Sequence, residues 1–339
     1  MATNLSFPYD AELFNYSWKN APDTVLTNMI ESGAVVRDSE IERLISTGSN
    51  FFTIPFYNVL GGTPSVYNGV NDIVPEATTG DAMSGVVYGR QQGWSVKTFI
   101  NDFNSGADPM SQVVNGVARF WQKQRQKDLV GILKAVFQVG SDADWAKHTY
   151  NIASTETTAT DENKVGVSTV EDACVKANGD MAQEYSLVIA HPVVANRWKN
   201  LQLVEYTKYT DERGITRDLG IGTINGKKLI ITEQVPVADS TTATGEKEYT
   251  TYILGTGAIR YADAPVEVPS EMDRDPAKYG GQDFLYTRVR QVLHPYGFSF
   301  KGNTTTDVGI PDSVLTAAAS YERKIDAKAI YMCQIISNG

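Results

Sequence analysis

Cysteine is almost missing. Cys174 and Cys333 are the only two in 339 residues, too few for a disulfide framework, so a reducing site of synthesis is expected. No run of ~18 apolar residues occurs, which excludes a transmembrane helix. The opening MATNLSFPYDAELFNYSWKN has no positive segment before an apolar core and does not read as a secretory signal. Basic residues are outnumbered, 30 against 40, for a net charge of −10. That balance argues against a protein whose main task is gripping nucleic-acid backbone, which needs clustered Lys and Arg. There is no GxSxG, no GxxxxGK[ST] and no CxxC. Gly220-Ile-Gly222 lacks the third glycine of a dinucleotide fingerprint. What remains is ordinary: 42% hydrophobic and 21% charged residues exclude bulk disorder and allow one large or two modest domains.

The clearest element is a long helix. Asp108 is a good N-cap and Pro109 suits the first helical position. Apolar residues recur with helical period at Met110, Val113, Val114, Val117, Phe120 and Trp121, then at Leu129, Ile132, Leu133, Val136 and Phe137. From 108 to 138 this predicts ~46 Å of helix at ~1.5 Å per residue, a spine across an elongated body. Before it, Asp23–Ile30 and Asp38–Ile45 read as short helices and Phe51–Leu60 as a strand. Phe7, Tyr9, Phe14, Tyr16 and Trp18 either form an arm that buries its rings on something else or cover the chain's own core. Seven glycines punctuate 61–93, a stretch too poor in bulky side chains to make its own core. It is either a disordered loop or a long hairpin with Val86, Val87 and Tyr88 on the returning strand.

Residues 139–262 read as mixed α/β. Ser168 and Glu171 form a capping box, and the helix they open ends at Asn178-Gly179. Ser186–His191 is a short buried strand. Pro192 opens a helix with Val193, Val194 and Trp198 inward. Asn225-Gly226 is the strongest hairpin signal. Leu229–Thr232 and Tyr249–Leu254 are strands, and Ser240–Gly245 is a polar loop tip. Beyond 263, alternation puts Phe284, Tyr286, Arg288, Arg290 and Val292 on one side of a two- or three-stranded ribbon outside the main core. A last strand spans Ala329–Ile336.

Candidate chemistry is sparse. His148, His191 and His294 are the three histidines; the last two precede proline and are expected to end strands with local hydrogen bonds. Asp273-Arg274-Asp275 resembles a two-carboxylate metal grip but has no third ligand at calcium-loop spacing, so Arg274 is expected to neutralise the pair. Cys174 lies on a helix that looks buried, which favours packing over nucleophilic use. Lys123, Arg125 and Lys127 make a small basic face on the long helix. No catalytic, cofactor or metal residue is assigned. The unusual features are geometric: an arm, a glycine-rich loop, an over-long helix and a ribbon, each with too little core of its own.

Several runs together resemble tailed-bacteriophage major capsid proteins. GWSVKTFINDFNSGADPMSQVVNGVARFWQKQRQKDLVGILKAVFQ resembles their spine-helix segment. EDACVKANGD, YSLVIAHPVVANRW and INGKKLIITEQVP resemble their axial domain. DRDPAKYGGQDFLYTRVRQVLHPYGFSF is similar to their peripheral ribbon, and SYERKIDAKAIYMCQIISNG to their C-terminal strand. The resemblance covers roughly residues 50–339. It implies an α+β fold of the Hong Kong 97 type, shared with encapsulins and herpesvirus shells. It also implies an organisation: N-terminal arm 1–60, extended loop 61–98, spine helix of the peripheral domain 99–144, axial α/β domain 145–262, peripheral β-ribbon 263–300, and a C-terminal segment 301–339 returning to the axial domain.

The implied function is structural rather than enzymatic. The chain would assemble with itself as pentamers and hexamers into the icosahedral capsid of a virion around double-stranded DNA, touched without sequence preference. It would be made in the cytoplasm of a bacterial host. A portal protein, a separate scaffolding protein and in some members a decoration protein are the other implied partners; no membrane is. No coiled-coil heptads precede the arm, so a fused scaffold is not expected, and no Lys or Asn matches the isopeptide chemistry of some relatives. The alternatives are an encapsulin-type compartment, a tail or baseplate structural protein, and, in a different class, a metal-dependent hydrolase using Asp273, Asp275 and His294.

Overall fold

The computed structural model describes residues 24–46, 50–57, 63–64, 66, 72, 75, 80–97, 109–140, 142–154, 156, 158–210, 216–240, 245–301 and 309–339. The arm aromatics, Asp108 and the tip at 241–244 lie outside them. Helices are α1 (Thr24–Glu31), α2 (Ser39–Ile45), α3 (Pro109–Phe137), α4 (Thr169–Asn178) and α5 (Pro192–Asn200), with single turns at Ala143–Ala146 and Asp312–Leu315. Strands in the first half are β1 (Val35–Arg37), β2 (Phe51–Tyr57), β3 (Gly80–Val86), β4 (Tyr88–Lys97), β5 (Thr149–Asn151), β6 (Tyr185–Ala190) and β7 (Val204–Thr210). There follow β8 (Thr216–Ile224), β9 (Lys227–Ile231), β10 (Val237–Asp239), β11 (Lys247–Gly255) and β12 (Ile259–Ala264). The last are β13 (Ser270–Asp275), β14 (Gln282–Pro295), β15 (Phe298–Phe300), β16 (Tyr321–Arg323) and β17 (Met332–Ser337). No helix among the described residues is long and apolar enough to cross a membrane.

Two sheets flank α3. The first runs β1-β12-β14-β13, with β4 also on β14. Gln282 pairs with both Asp275 and Lys97, and Gln291 with both Asp263 and Tyr88. One edge of β14 therefore carries β13 and β12 in tandem, and β4 follows the other. The expected ribbon is thus the centre strand of a five-stranded sheet, and Gln291–Pro295 at its end are buried in the core rather than outside it. The second sheet runs β5-β17-β11-β6-β9-β8-β7, with β10 on β11. The tail strand β17 lies between β5 and β11. It begins at Met332, because Ala327–Ala329 first make a 3-10 turn capped by Asp326.

The main core is where α3 meets both sheets. Leu133, Val136, Phe137 and Trp145 pack with Leu187, Tyr252, Ile259, Leu293, Phe298 and Met332. A second core holds Cys174, Val188, Trp198, Ile253 and Cys333 under the second sheet. Local signals behave as their chemistry dictates in several places. Asp38 caps α2 by accepting from Glu40 N and Ile41 N. Asn225 and Gly226, at φ 49° and 74°, turn the chain between β8 and β9. Gly179, at φ 61°, ends α4.

Three local expectations are corrected. Ser168 has helical dihedrals and makes no side-chain cap bond, while Glu171 instead reaches Lys227 Nζ at 2.5 Å, so the capping box does not form. The nearly buried ammonium draws the carboxylate away from the helix terminus. Val193 is 44% exposed; only Val194, Ala195 and Trp198 of α5 turn inward. Of Val86, Val87 and Tyr88, only Val86 lies on the strand that returns in the hairpin, β3; Tyr88 opens β4, ten residues of which pair with β14.

β2 and β3 form an antiparallel hairpin from Phe51↔Val86 to Tyr57↔Gly80. Phe52 lies opposite Gly85, and a Cβ added there would sit 2.1 Å from the ring. Both the glycine and the ring are held by a paired backbone, so neither side yields easily. Gly85→Ala is expected to cost ~1–3 kcal/mol by overpacking, read as a fall in the thermal midpoint; an unchanged midpoint would mean that Phe52 rotates away freely.

Candidate functional site

The metal-hydrolase constellation does not assemble. Asp273 and Asp275 pair across β13/β14 with Phe284 and Gln282, whereas His294 pairs with Arg260. Phe284 and His294 are ten residue steps apart on one strand, ~33 Å at ~3.3 Å per residue. Each carboxylate is spent locally. Asp273 Oδ1 accepts from Arg274 N at 2.8 Å. Asp275 Oδ1 accepts from Ala277 N at 3.0 Å, which with Lys278 holds its carboxyl below the usual range. Arg274 does not sit between them but faces Asp283 at 3.7 Å. Among the described residues no group of three His, Cys, Asp or Glu could hold a metal ion.

Each histidine has a packing role. His148 Nδ1 lies 2.7 Å from Met332 O, and its ring stacks on Trp145 at 4.5 Å. His191 accepts from Val193 N and caps α5. His294 does not end its strand; it is buried edge-on to Phe52 at 5.7 Å, and burial together with Arg260 lowers its pKa to about 4. Cys174 and Cys333 are fully buried free thiols.

The surfaces are more distinctive than any cleft. On the outer face of β14, Phe284 and Tyr286 stack at 6.0 Å. Gly93 lies opposite Tyr286, and a Cβ there would stand 2.9 Å from that ring. The missing side chain on β4 thus makes the bed for the aromatic. Arg288 pairs with Glu271 at 3.2 Å, and Arg290 reaches Asn50 Oδ1 at 2.9 Å. The inner face holds α3: Trp121 Nε1 donates to Thr287 Oγ1 at 3.1 Å, beside Val117 and Leu285. The β2/β3 hairpin buries Phe52, Ile54 and Met83 and exposes Phe51 and, at its end, Tyr57, which is 84% exposed. Over the second sheet, Val167, Val175 and Met181 are exposed apolar groups.

Where α3, β4 and β14 meet there is a buried polar knot. Asp128, 3% exposed, accepts from Gln124 Nε2 at 2.8 Å and from Gln291 Nε2 at 3.4 Å. Gln291 Nε2 also donates to the Tyr88 hydroxyl at 2.9 Å, and its Oε1 accepts from Arg125 Nε at 3.1 Å. Arg90 reaches Ile310 O at 2.8 Å and pairs with Asp312. Arg125 thus turns inward, its guanidinium 5.4 Å from the Tyr261 ring centre, and does not share a face with Lys123 and Lys127. Residues two apart on a helix point in different directions. Nothing in the sequence flags Asp128: it reads as one more polar residue in the middle of the helix, and its partners lie on distant strands.

Burial raises the Asp128 pKa to about 6, with Asp312 reinforcing and Arg90 opposing the shift. A carboxyl raised above its unfolded value stabilises the fold when protonated, and that contribution is lost as pH rises through about 6. Asp128→Asn is therefore expected to stabilise the chain by ~1–3 kcal/mol at pH 7.5 and to lose that advantage near pH 4. Urea midpoints at both pH values check this; equal shifts at both would show that Asp128 is ionised throughout.

No family model matches the chain. It is 29% identical over 334 residues to the major capsid protein of Bacillus phage SPP1, across 98% of this chain and 97% of that one. In fold it is similar to the capsid of Ralstonia phage GP4, with a TM-score of 0.58, 11% identity, and 91% of this chain and 88% of the other covered. It is likewise similar to the capsid asymmetric unit of cyanophage Pam1, with a TM-score of 0.51, 10% identity, and 86% and 85% covered.

Proposed function

We infer that this chain is a major capsid protein of the tailed-bacteriophage family, of α+β Hong Kong 97-type fold, a structural protein that assembles with copies of itself into the shell of a virion. The observation that carries this is collinear similarity to a phage capsid protein over 98% of the chain, in a molecule that folds as phage capsids do. An encapsulin-type compartment is not favoured, because the relatives are viral shells.

The finer picture is built on that base. Copies form pentamers and hexamers, whose head-to-tail contacts are heterologous and close into rings. The rings make an icosahedral shell around double-stranded DNA. Residues 1–60 serve as an arm and 61–98 as an extended loop. The hairpin of β2 with β3 supports starting that loop at Phe51 rather than at 61. Residues 99–144 and 263–300 make the peripheral domain and 145–262 the axial domain, completed by 301–339. The pairing of β12 with β1 and β14 supports moving the axial boundary back to about Gly255. Exposed Tyr286 and Tyr57, with half-buried Phe284, supply surface for neighbours, and shallow contacts to several copies at once multiply in effect. A portal protein, a separate scaffolding protein and a decoration protein complete the particle, made in the host cytoplasm.

The test is expression of the chain with and without the scaffolding protein of its own phage, followed by negative-stain electron microscopy. Closed shells with five- and six-membered capsomers are expected. Rings or open tubes alone, or a monomer at high concentration under both conditions, would overturn the assignment.

A further inference from the structure

Helix α3 carries cations on its solvent side that no carboxylate answers. Arg119, Lys123, Lys127 and Lys134 are all exposed. Spaced by four, four and seven residues, they fall within an arc of ~80° at ~100° per residue and span ~22 Å along the axis. Among the described residues none of the four has an ion pair within 4 Å; the pairs lie elsewhere. The one acid in the 29 residues of α3 is Asp128, and it points the other way, into the knot with Gln124 and Gln291. The acids on the elements packed beside α3 are already engaged: Glu31 of α1 with Lys228 at 2.9 Å, and Asp312 with Arg90.

This is unusual in a chain of net charge −10. Acids outnumber bases four to three, so random placement would put carboxylates among four neighbouring surface cations. Ordinary solvation needs no such segregation. The sequence offers Lys123, Arg125 and Lys127 as a basic face; the fold removes Arg125 and adds Arg119 and Lys134, which converts a patch into a straight row.

We propose that this row is the surface that meets the packaged duplex, with Arg119, Lys123, Lys127 and Lys134 each facing a phosphate; the proposal rests on the shell function inferred above. A duplex presents one charge per ~1.7 Å of axis, so a row ~22 Å long is matched by charge along its whole length. The row holds flexible ammonium groups and one guanidinium on a smooth helix. Phe120 and Gln126 border the row rather than stand in it, so the cations meet phosphates and the contact is indifferent to sequence. The acidic remainder of the molecule repels the same polyanion, which confines contact to α3 and keeps it weak enough for DNA to slide during filling and ejection.

Four phosphate contacts give a salt slope of ~3.6 in log K against log salt, roughly a 100-fold loss of binding between 50 and 200 mM NaCl. The purified unassembled chain is titrated with a fluorescent 30-base-pair duplex of random sequence. The expected result is that slope in the natural chain and a slope near zero in the variant R119Q/K123Q/K127Q/K134Q, whose glutamines keep the helix. No duplex binding at 50 mM salt, or an undiminished slope in the variant, would overturn the proposal. A second measurement needs no variant. Filled and empty heads are treated with an amine-acetylating reagent and digested. Lys123, Lys127 and Lys134 are expected to be labelled at least threefold less in filled heads. Equal labelling in both, or protection in both, would overturn it; protection in both would give the row to a neighbouring copy, a scaffold or residues 1–23. The duplex titration needs no shell, so a chain that never forms shells sinks the capsid assignment while leaving this test intact.

Discussion

Trp121→Ala is expected to lower the unfolding free energy by ~3–5 kcal/mol, the range for removing a large buried aromatic. Trp121 is 6% exposed and closes α3 onto the inner face of β14. It packs with Val117 and Leu285, with Trp94, Met272 and Val289 alongside. Phe120 meets it edge-on at 5.3 Å and meets Trp94 at the same distance. This cluster is small and separate from the main core, so few neighbours can collapse into the space that alanine leaves. The indole also donates to Thr287 Oγ1, which itself donates to Gln92 O at 3.2 Å. One side chain thereby ties the helix to β14 and β4. Trp121→Phe keeps most of the buried area and should cost nearer ~1 kcal/mol for the lost hydrogen bond. Urea denaturation of the unassembled chain checks both; equal costs for Ala and Phe would mean that the hydrogen bond, not the burial, holds the helix down.

Replacing residues 58–79 with Asn-Gly is expected to abolish shells while leaving the chain folded. Tyr57 pairs directly with Gly80, so a two-residue turn of this type fits the hairpin end without changing its register. Phe52, Ile54 and Met83 keep their burial, and the unfolding free energy should stay within ~1 kcal/mol of the natural chain, as expected when the hairpin's own buried side chains are left in place. Assembly should fail because each copy loses one of several simultaneous contacts, and removing one multiplies through every interface in the shell. Normal particles by electron microscopy would remove this segment from the assembly machinery. A lowered midpoint would show instead that it supports its own subunit.

What the sequence carried is local or periodic. The stripe through Val117, Trp121, Leu129, Leu133 and Val136, with Asp108 and Pro109 before it, set the long helix to within one residue of its observed ends. Asn225-Gly226, Gly179 and Pro192 marked caps and turns, because each acts through backbone geometry within a few residues of itself. The ordered runs also carried the family resemblance. What failed locally failed by competition from afar. Glu171 was free in sequence to close a capping box, but Lys227, 56 residues on, claimed it.

The sequence alone therefore determined that this is a chain without a disulfide framework built on one long helix, and its family resemblance added the α+β class. Only the tertiary structure decided which groups became buried and which were left outside. It sent Arg125 and Asp128 inward to Gln291 and left Arg119, Lys123, Lys127 and Lys134 in a row without acids. It stretched β14 between three other strands and parted Asp273 from His294 along it. Strand partners and buried charges depend on contacts between segments far apart in the chain, and no pattern of period two or 3.6 encodes who those neighbours are.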